Sequence, residues 1–327
     1  MRQRILLSAA LMLMLLLCWF SLSSGAVSIS PAGIVGGLTD SKSTSYFIVH
    51  QVRLPRVLIA LWAGCGLAVA GAILQSLLRN HLSSPDVIGI TQGAGFAAVS
   101  AIFLLPGAPL WVLPAAAFAG AMMSFFILVL VSRKLTLAPA PLALSGVAIG
   151  AVFQAGIQYF MVTHPTNVNM ALLWMSGSLW GRNWDQVKPL FLLISILAVI
   201  AMTNTRKLDI LQVGDTISQS LGLLVRRERL WLLLLSVAMA GVSVSAVGAI
   251  GFIGLLAPHM ARALVGSRNC WRLPMAAVMG ADLMLLGDLL GRILIIPLEI
   301  PVGIITAVIG APYFIYLLRK ERRNENR

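Results

Sequence analysis

The side chains able to do chemistry are few, and their spacing assembles no catalytic or metal-binding set. Three cysteines, Cys18, Cys65 and Cys270, lie in or beside apolar runs with no ligand spacing between them. Their odd number argues against a disulfide framework. Four histidines, His50, His81, His164 and His259, are scattered and form neither a metal site nor a haem-ligand pair. No Gly-x-x-x-x-Gly-Lys-Ser/Thr loop occurs, so ATP is not held by that route. No nucleophile, base and acid stand in a pattern that would activate one another. Two carboxylates, Asp282 and Asp288, sit inside an apolar run, where an ionisable group is costly and defaults to a functional reading. They are read as structural, with Arg292 four residues after Asp288 and on the same helix face. Any energised work therefore draws on a partner or on an ion gradient.

The elements that would carry these residues are set by composition. Of 327 residues, 59% are hydrophobic and only 11% charged, against about 25% charged in a soluble domain. A soluble enzyme could not wet such a surface, and disorder requires low hydrophobicity. Lys and Arg number 24 against 11 Asp and Glu, a net charge of +13. The basic residues form short clusters between long apolar runs, which reads as membrane topology rather than nucleic-acid binding.

A helix needs about 20 apolar residues to cross the hydrocarbon core. Candidate spans fall near 5–23, 57–78, 88–105, 109–131, 141–163, 189–204, 230–250, 251–266, 274–294 and 301–318. The runs are too long, and lack the period-two alternation, for barrel strands. The first resembles a signal peptide, with Arg2 and Arg4 ahead of it and Ser24-Gly25-Ala26 behind. Its apolar run exceeds the usual signal core of roughly 7–15 residues, so it is read as a retained helix. With the N-terminus inside, 18 basic residues fall in inner segments and 6 (Lys42, Arg53, Arg56, Arg182, Lys188 and Arg292) in outer ones. That asymmetry follows the positive-inside rule. The expected fold is an all-α polytopic membrane protein, a single domain over 1–327. It has about ten transmembrane helices and cytoplasmic N- and C-termini.

Three other segments are informative. Outer segments 24–56 and 164–188 are long enough to present a surface, and Trp174, Trp180 and Trp184 in the second read as headgroup anchors. The inner segment 205–229 places Leu208, Leu211, Ile217, Leu221 and Leu224 near helical spacing on either side of Gly214. This predicts two short helices joined at glycine, with Asp215 capping the second. The apolar stripe suits docking of a cytoplasmic partner or packing on the membrane surface.

The chain resembles the FecCD-type permeases of ATP-driven importers for ferric siderophores, haem and cobalamin, over roughly residues 45–318. The likeness is carried by Arg53-Leu54-Pro55-Arg56, by Gly71-Ala72-Ile73-Leu74-Gln75 with Arg79-Asn80-His81-Leu82, Ser84-Pro85, Gly89 and Gly93-Ala94-Gly95, and by Gly214-Asp215 with Leu221-Gly222. Gly251-Phe252-Ile253-Gly254-Leu255 through Pro258-His259 and Arg262, and Leu298-Glu299-Ile300-Pro301-Val302-Gly303 through Gly310-Ala311-Pro312, complete it. Two positions depart from the family pattern: His81 stands where proline is usual, and Ser218 where alanine is usual.

The resemblance implies an importer permease of the bacterial cytoplasmic membrane that performs no covalent chemistry and works by alternating access. Arg53, Arg56 and Arg292 would meet carboxylates of a periplasmic or lipoprotein substrate-binding protein, since Arg binds a carboxylate at two points. Gly214, Asp215, Leu221 and Gly222 would couple to a cytoplasmic ATP-binding cassette dimer. Asn80, His81, Leu82, Leu135 and Thr136 would form the cytoplasmic gate. A second permease subunit, a paralogue rather than an identical copy, would complete the pathway. Membrane lipid surrounds the assembly, and nucleic acid is not a partner. The chain itself binds no metal or cofactor; ATP and Mg belong to the ATPase. The segment from Trp174 to Trp184 is similar to the ferric-siderophore branch, ferric dicitrate permeases above all, with cobalamin and haem permeases as the alternative. A proton- or sodium-driven secondary transporter is the rival from another class. It would need paired ionisable groups near mid-membrane, and Asp282 and Pro258-His259 are its only footholds.

Overall fold

A computed structural model describes residues 1–25, 27–132 and 138–325. Ten of its helices coincide with the ten apolar runs. They are α1 (Arg2–Ser23), α3 (Leu54–Leu78), α4 (Ile90–Leu104), α5 (Val112–Ser132), α6 (Pro139–Thr163), α8 (Trp184–Thr203), α11 (Val225–Val247), α12 (Ile253–Val265), α13 (Asn269–Ile293) and α14 (Val302–Glu325). Four short helices join them: α2 (Pro31–Thr39), α7 (Val168–Met175), α9 (Thr205–Val213) and α10 (Asp215–Ser220). The described residues contain no β-strand.

Seven of the ten are long and apolar enough to cross a membrane; α4, α12 and the Val302–Tyr316 part of α14 are shorter apolar helices. At 1.5 Å per residue, α4 and α12 reach only about 20 Å, short of a ~30 Å core. Both follow irregular backbone that the protein partly buries. Gly89 (φ 78°) precedes α4 and Phe252 (φ 68°) precedes α12, and Ser83, Ser84, Pro85 and Ile88 are buried. Such backbone is tolerated at membrane depth only when protein covers it.

The centre is built by α3, α11 and α13, the most buried of the long helices, while α1, α6 and α8 expose most of their apolar surface. Glycine allows the central backbones to touch. A Cβ on Gly64 would stand 2.4 Å from the Gly280 carbonyl oxygen, and one on Gly71 only 1.8 Å from that of Gly254. Small residues at such crossings permit close helix packing where no water drives association. Gly71 lies seven residues before the inner end of α3, so α12 begins about 10 Å inside that end.

The structure alters two expectations. Trp174 is buried, not an interfacial anchor, while Trp180 is exposed; Trp184 donates its indole N–H to the His50 carbonyl at 3.0 Å. Arg229 and Arg272, counted with the inner loops, lie inside α11 and α13 and are buried. Arg272 donates to the Ala72 carbonyl at 3.0 Å and to Gln75 at 3.3 Å. They are cross-links between helices rather than residues facing anionic lipid. The outer segment 24–56, read as long enough to present a surface, is largely helical. It contains α2 and a π-helical turn, Phe47–Arg53, that runs directly into α3.

Candidate functional site

On the inner face one carboxylate, Asp215 of the predicted coupling set, joins Arg79, which directly precedes the predicted gate residues Asn80, His81 and Leu82, to Arg229. Helices α9 and α10 form where expected and are joined at Gly214, whose φ of 129° disfavours any side chain. Leu208 and Leu211 turn inward and are buried, whereas Val213, Ile217, Leu221 and Leu224 are exposed. The stripe is therefore split: one half anchors the segment and the other faces outward. Gly222, at φ 81°, ends α10 with open space around it.

Asp215 does not cap α10: Gly214 occupies the N-cap position and Asp215 opens the first turn. Its carboxylate accepts instead from the buried Arg229 of α11, at 2.7 and 3.2 Å, and from Arg79. Two guanidinium groups outcompete backbone N–H donors for a carboxylate because charge-assisted, forked bonds are stronger. Arg79 is the left-handed cap of α3 (φ 49°) and also donates to the Leu211 carbonyl at 3.1 Å. Further ties hold the segment to the bundle. Gln212 donates to Ser76 at 2.8 Å, Lys207 pairs with Glu228 at 2.8 Å, and Asp209 accepts from the backbone and side-chain N–H groups of Asn269 at 2.9 and 2.7 Å. Ser218, the family departure, is buried and donates to the Ile210 carbonyl at 2.9 Å.

The gate residues follow Arg79 directly. Asn80 accepts the Leu82 backbone N–H at 2.9 Å, which tightens the turn. His81 faces Arg262 of α12, with Nη1 lying 2.8 Å from Nδ1. Burial, then the positive Arg262 and Arg272 and the neighbouring His259, hold the His81 imidazole down to about 4, so it is neutral and accepts from Arg262. Leu135 and Thr136, the other predicted gate residues, lie outside the described residues.

The outer face places the three predicted arginines together but uses them unequally. Arg53, at the end of the π-helical turn, is buried and donates to the Leu22 carbonyl at 2.6 Å, the Ser23 carbonyl at 2.9 Å, and the Val27 carbonyl. Arg292, in the last turn of α13, is also buried; it donates to the Ser21 and Ser24 carbonyls at 3.1 and 3.0 Å and to the Ser21 hydroxyl. Both guanidinium groups therefore satisfy the free carbonyls at the C-terminus of α1, where a cation is favoured. Both side chains are buried, so neither guanidinium lies open on the outer face of this chain. The expected Asp288–Arg292 pair is present at 3.1 Å. Arg56 bridges Asp288 (2.9 Å) and Glu299 (2.8 Å), and Glu299 is part-exposed. In the outer segment after α7, Arg182 is lowered to about 10 by burial, remains charged at neutral pH, and donates to the Ser178 carbonyl at 3.2 Å.

Sequence reasoning missed Arg229, Arg262 and Asp209 as members of the inner cluster, since their partners lie 14 to 181 residues away in the chain. Among the described residues no group of histidine, cysteine and carboxylate side chains could hold a metal ion.

The profile of the FecCD transport family matches residues 13–320. The Fe(3+)-citrate import system permease protein YfmE of Bacillus subtilis is 49% identical over 313 residues, 96% of this chain and 94% of that protein. The Fe(3+) dicitrate transport system permease protein FecD of Escherichia coli is 45% identical over 277 residues, 85% of this chain and 86% of that one. A solved metal-chelate type ABC transporter in an inward-facing conformation superimposes with a TM-score of 0.88 at 30% identity, covering 97% of this chain and 99% of that one.

Proposed function

The chain belongs to the FecCD transport family, and from that premise we propose that it is the permease of an ATP-driven importer carrying a ferric chelate of the citrate class. It is a multi-pass membrane subunit, not an enzyme, and ATP is hydrolysed by a separate subunit. The ferric-citrate assignment draws on YfmE and FecD, whose names specify that substrate.

The observation that carries the mechanism is the sharing of Asp215 between Arg79 and Arg229. Arg79 ends α3 and begins the segment that continues through Asn80, His81 and Leu82. A push on the exposed row Ile217, Leu221 and Leu224 by the ATPase would move α10, and Asp215 would pass that movement to the gate. Gly214 and Gly222 let α10 pivot between two positive-φ joints. Leu135 and Thr136 complete the gate in this reading, and a paralogous permease supplies the other half of the pathway. At the outer face, Arg56 receives a carboxylate of the binding protein, with Arg53 and Arg292 holding α1 behind it. Reconstitution with the ATPase and binding protein tests the substrate class: labelled ferric citrate should be taken up and should be displaced by unlabelled ferric citrate. Uptake of ferric hydroxamate in its place would refute the citrate assignment.

A further inference from the structure

Beside the coupling row, and sharing Leu224 with it, the inner face carries a cleft of about 780 Å³ between the inner ends of α5 and α11. We propose that this cleft binds the headgroup of an anionic phospholipid of the inner leaflet. Its walls include Val129 of α5, Gln219 of α10, Leu223 in the turn, and Arg226, Arg227 and Leu230 of α11.

Depth favours a lipid. Val129 lies three residues before the end of α5 at Ser132, and Leu230 five residues beyond the start of α11 at Val225. At 1.5 Å per residue both sit about 5–8 Å inside the helix ends, at the inner edge of the apolar runs 109–131 and 230–250. Arg226 and Arg227 occupy the first turn of α11, at headgroup level. The apolar wall also leads outward, because Phe126, Val129 and Leu130 share one face of α5 by their spacing, and Phe126 and Leu130 are exposed. A soluble phosphate would gain nothing from that stripe, whereas an acyl chain would lie along it.

Charge points the same way. Both arginines are exposed, and neither makes an ion pair among the described residues. Among the described residues the lining contains two cations and no carboxylate. The nearest acid in sequence, Glu228, is taken by Lys207. Basic pockets between helices on the cytoplasmic side suit anionic lipid headgroups. Since Gln219 and Leu223 belong to the coupling segment, a lipid here would tie that segment to the bilayer. The assignment rests on the membrane topology and is independent of the substrate.

The test uses the assembled importer in nanodiscs of phosphatidylcholine, with or without phosphatidylglycerol, and native mass spectrometry of the lipid retained on the permease. The wild-type chain should retain phosphatidylglycerol, and soluble glycerol phosphate should not displace it. Arg226→Gln with Arg227→Gln should weaken retention about 25-fold, at about fivefold per arginine near an anionic surface. Val129→Trp, which fills the cleft without changing charge, should also abolish retention. Unchanged retention in both variants would overturn the proposal, and displacement by glycerol phosphate would overturn the lipid in favour of a free anion. Loss of the ATPase from the double variant in phosphatidylcholine alone would assign the arginines to that protein instead.

Discussion

Arg229 and Asp215, fourteen residues apart in the chain, are locked in a two-point fork, Nη2 to Oδ1 at 2.7 Å and Nη1 to Oδ2 at 3.2 Å. Arg79 closes on the same carboxylate. One acidic side chain thereby joins the coupling segment, the start of α11 and the end of α3. In the proposed mechanism Asp215 is the point through which movement of α10 reaches the segment after Arg79.

Asp215→Asn should release that joint. Arg229 is buried while Asp215 is more than a third exposed, so solvent screens part of the loss. The destabilisation expected is about 1–2 kcal/mol, well below the ~3–5 kcal/mol of a fully buried broken pair. Transport should fall much further than stability. Thermal unfolding and ATPase stimulation, measured side by side, check this, and Asp215→Glu should restore part of the stimulation. A drop in stability with normal stimulation would make the contact merely structural.

The outer arginines should separate into two classes. Arg53→Leu and Arg292→Leu remove the donors that cap α1, leaving its carbonyls unsatisfied, so each should lower thermal stability by about 1–3 kcal/mol. Arg56→Glu should lower stability too, since it sets a carboxylate beside the buried Asp288, but it alone should weaken the binding protein by at least tenfold, because a like charge then meets the incoming carboxylate. Affinity for the binding protein and unfolding temperature, measured on all three variants, distinguish the classes.

These two classes show what was legible beforehand. Ten helices were readable because an apolar run of about 20 residues has few other uses, and α9 and α10 because Gly214 interrupts a helical stripe. The Asp288–Arg292 pair was readable, but the burial of Arg53 and Arg292 was not, since what buries them is mostly backbone carbonyls between Ser21 and Val27, which carry no side-chain signature. The half-length of α12 was hidden too: Gly251 to Val265 is apolar throughout most of its length, and only packing shows that it starts against Gly71. Asp215 after Gly214 fits a helix cap as well as an ion pair. The arginines that decide between them arrive from α3 and α11.

Backbone contact at Gly71 gives a sharp packing prediction. A Cβ there meets the Gly254 carbonyl at 1.8 Å, a group that cannot swing aside. Gly71→Ala should cost about 3 kcal/mol, the upper range for overpacking. Gly251→Ala is the control, because its nearest neighbour would be the Asp86 carboxylate at an ordinary 3.7 Å. Thermal midpoints of the two variants compare them directly.

His81 sets a pH dependence. Its folded value of about 4 lies below the ordinary 6.5, so on acidification the unfolded chain takes the proton first. The stability it contributes is complete above about 6.5 and is lost as pH falls toward about 4. His81→Gln should leave the thermal midpoint at about pH 7.5 little changed and should reduce the acid loss seen at about pH 5. An equal acid loss in both proteins would show that His81 does not titrate in this window.

The source of energy is the claim on which everything else depends. Proteoliposomes holding the permease pair and the ATPase, with the binding protein added, should accumulate labelled ferric citrate when ATP is supplied. Accumulation should stop when the catalytic carboxylate of the ATPase is changed to its amide, and should persist when the proton gradient is dissipated. Uptake that survives the ATPase change but collapses with the proton gradient would contradict the account and restore Asp282 and His259 as candidates for an ion-coupled carrier.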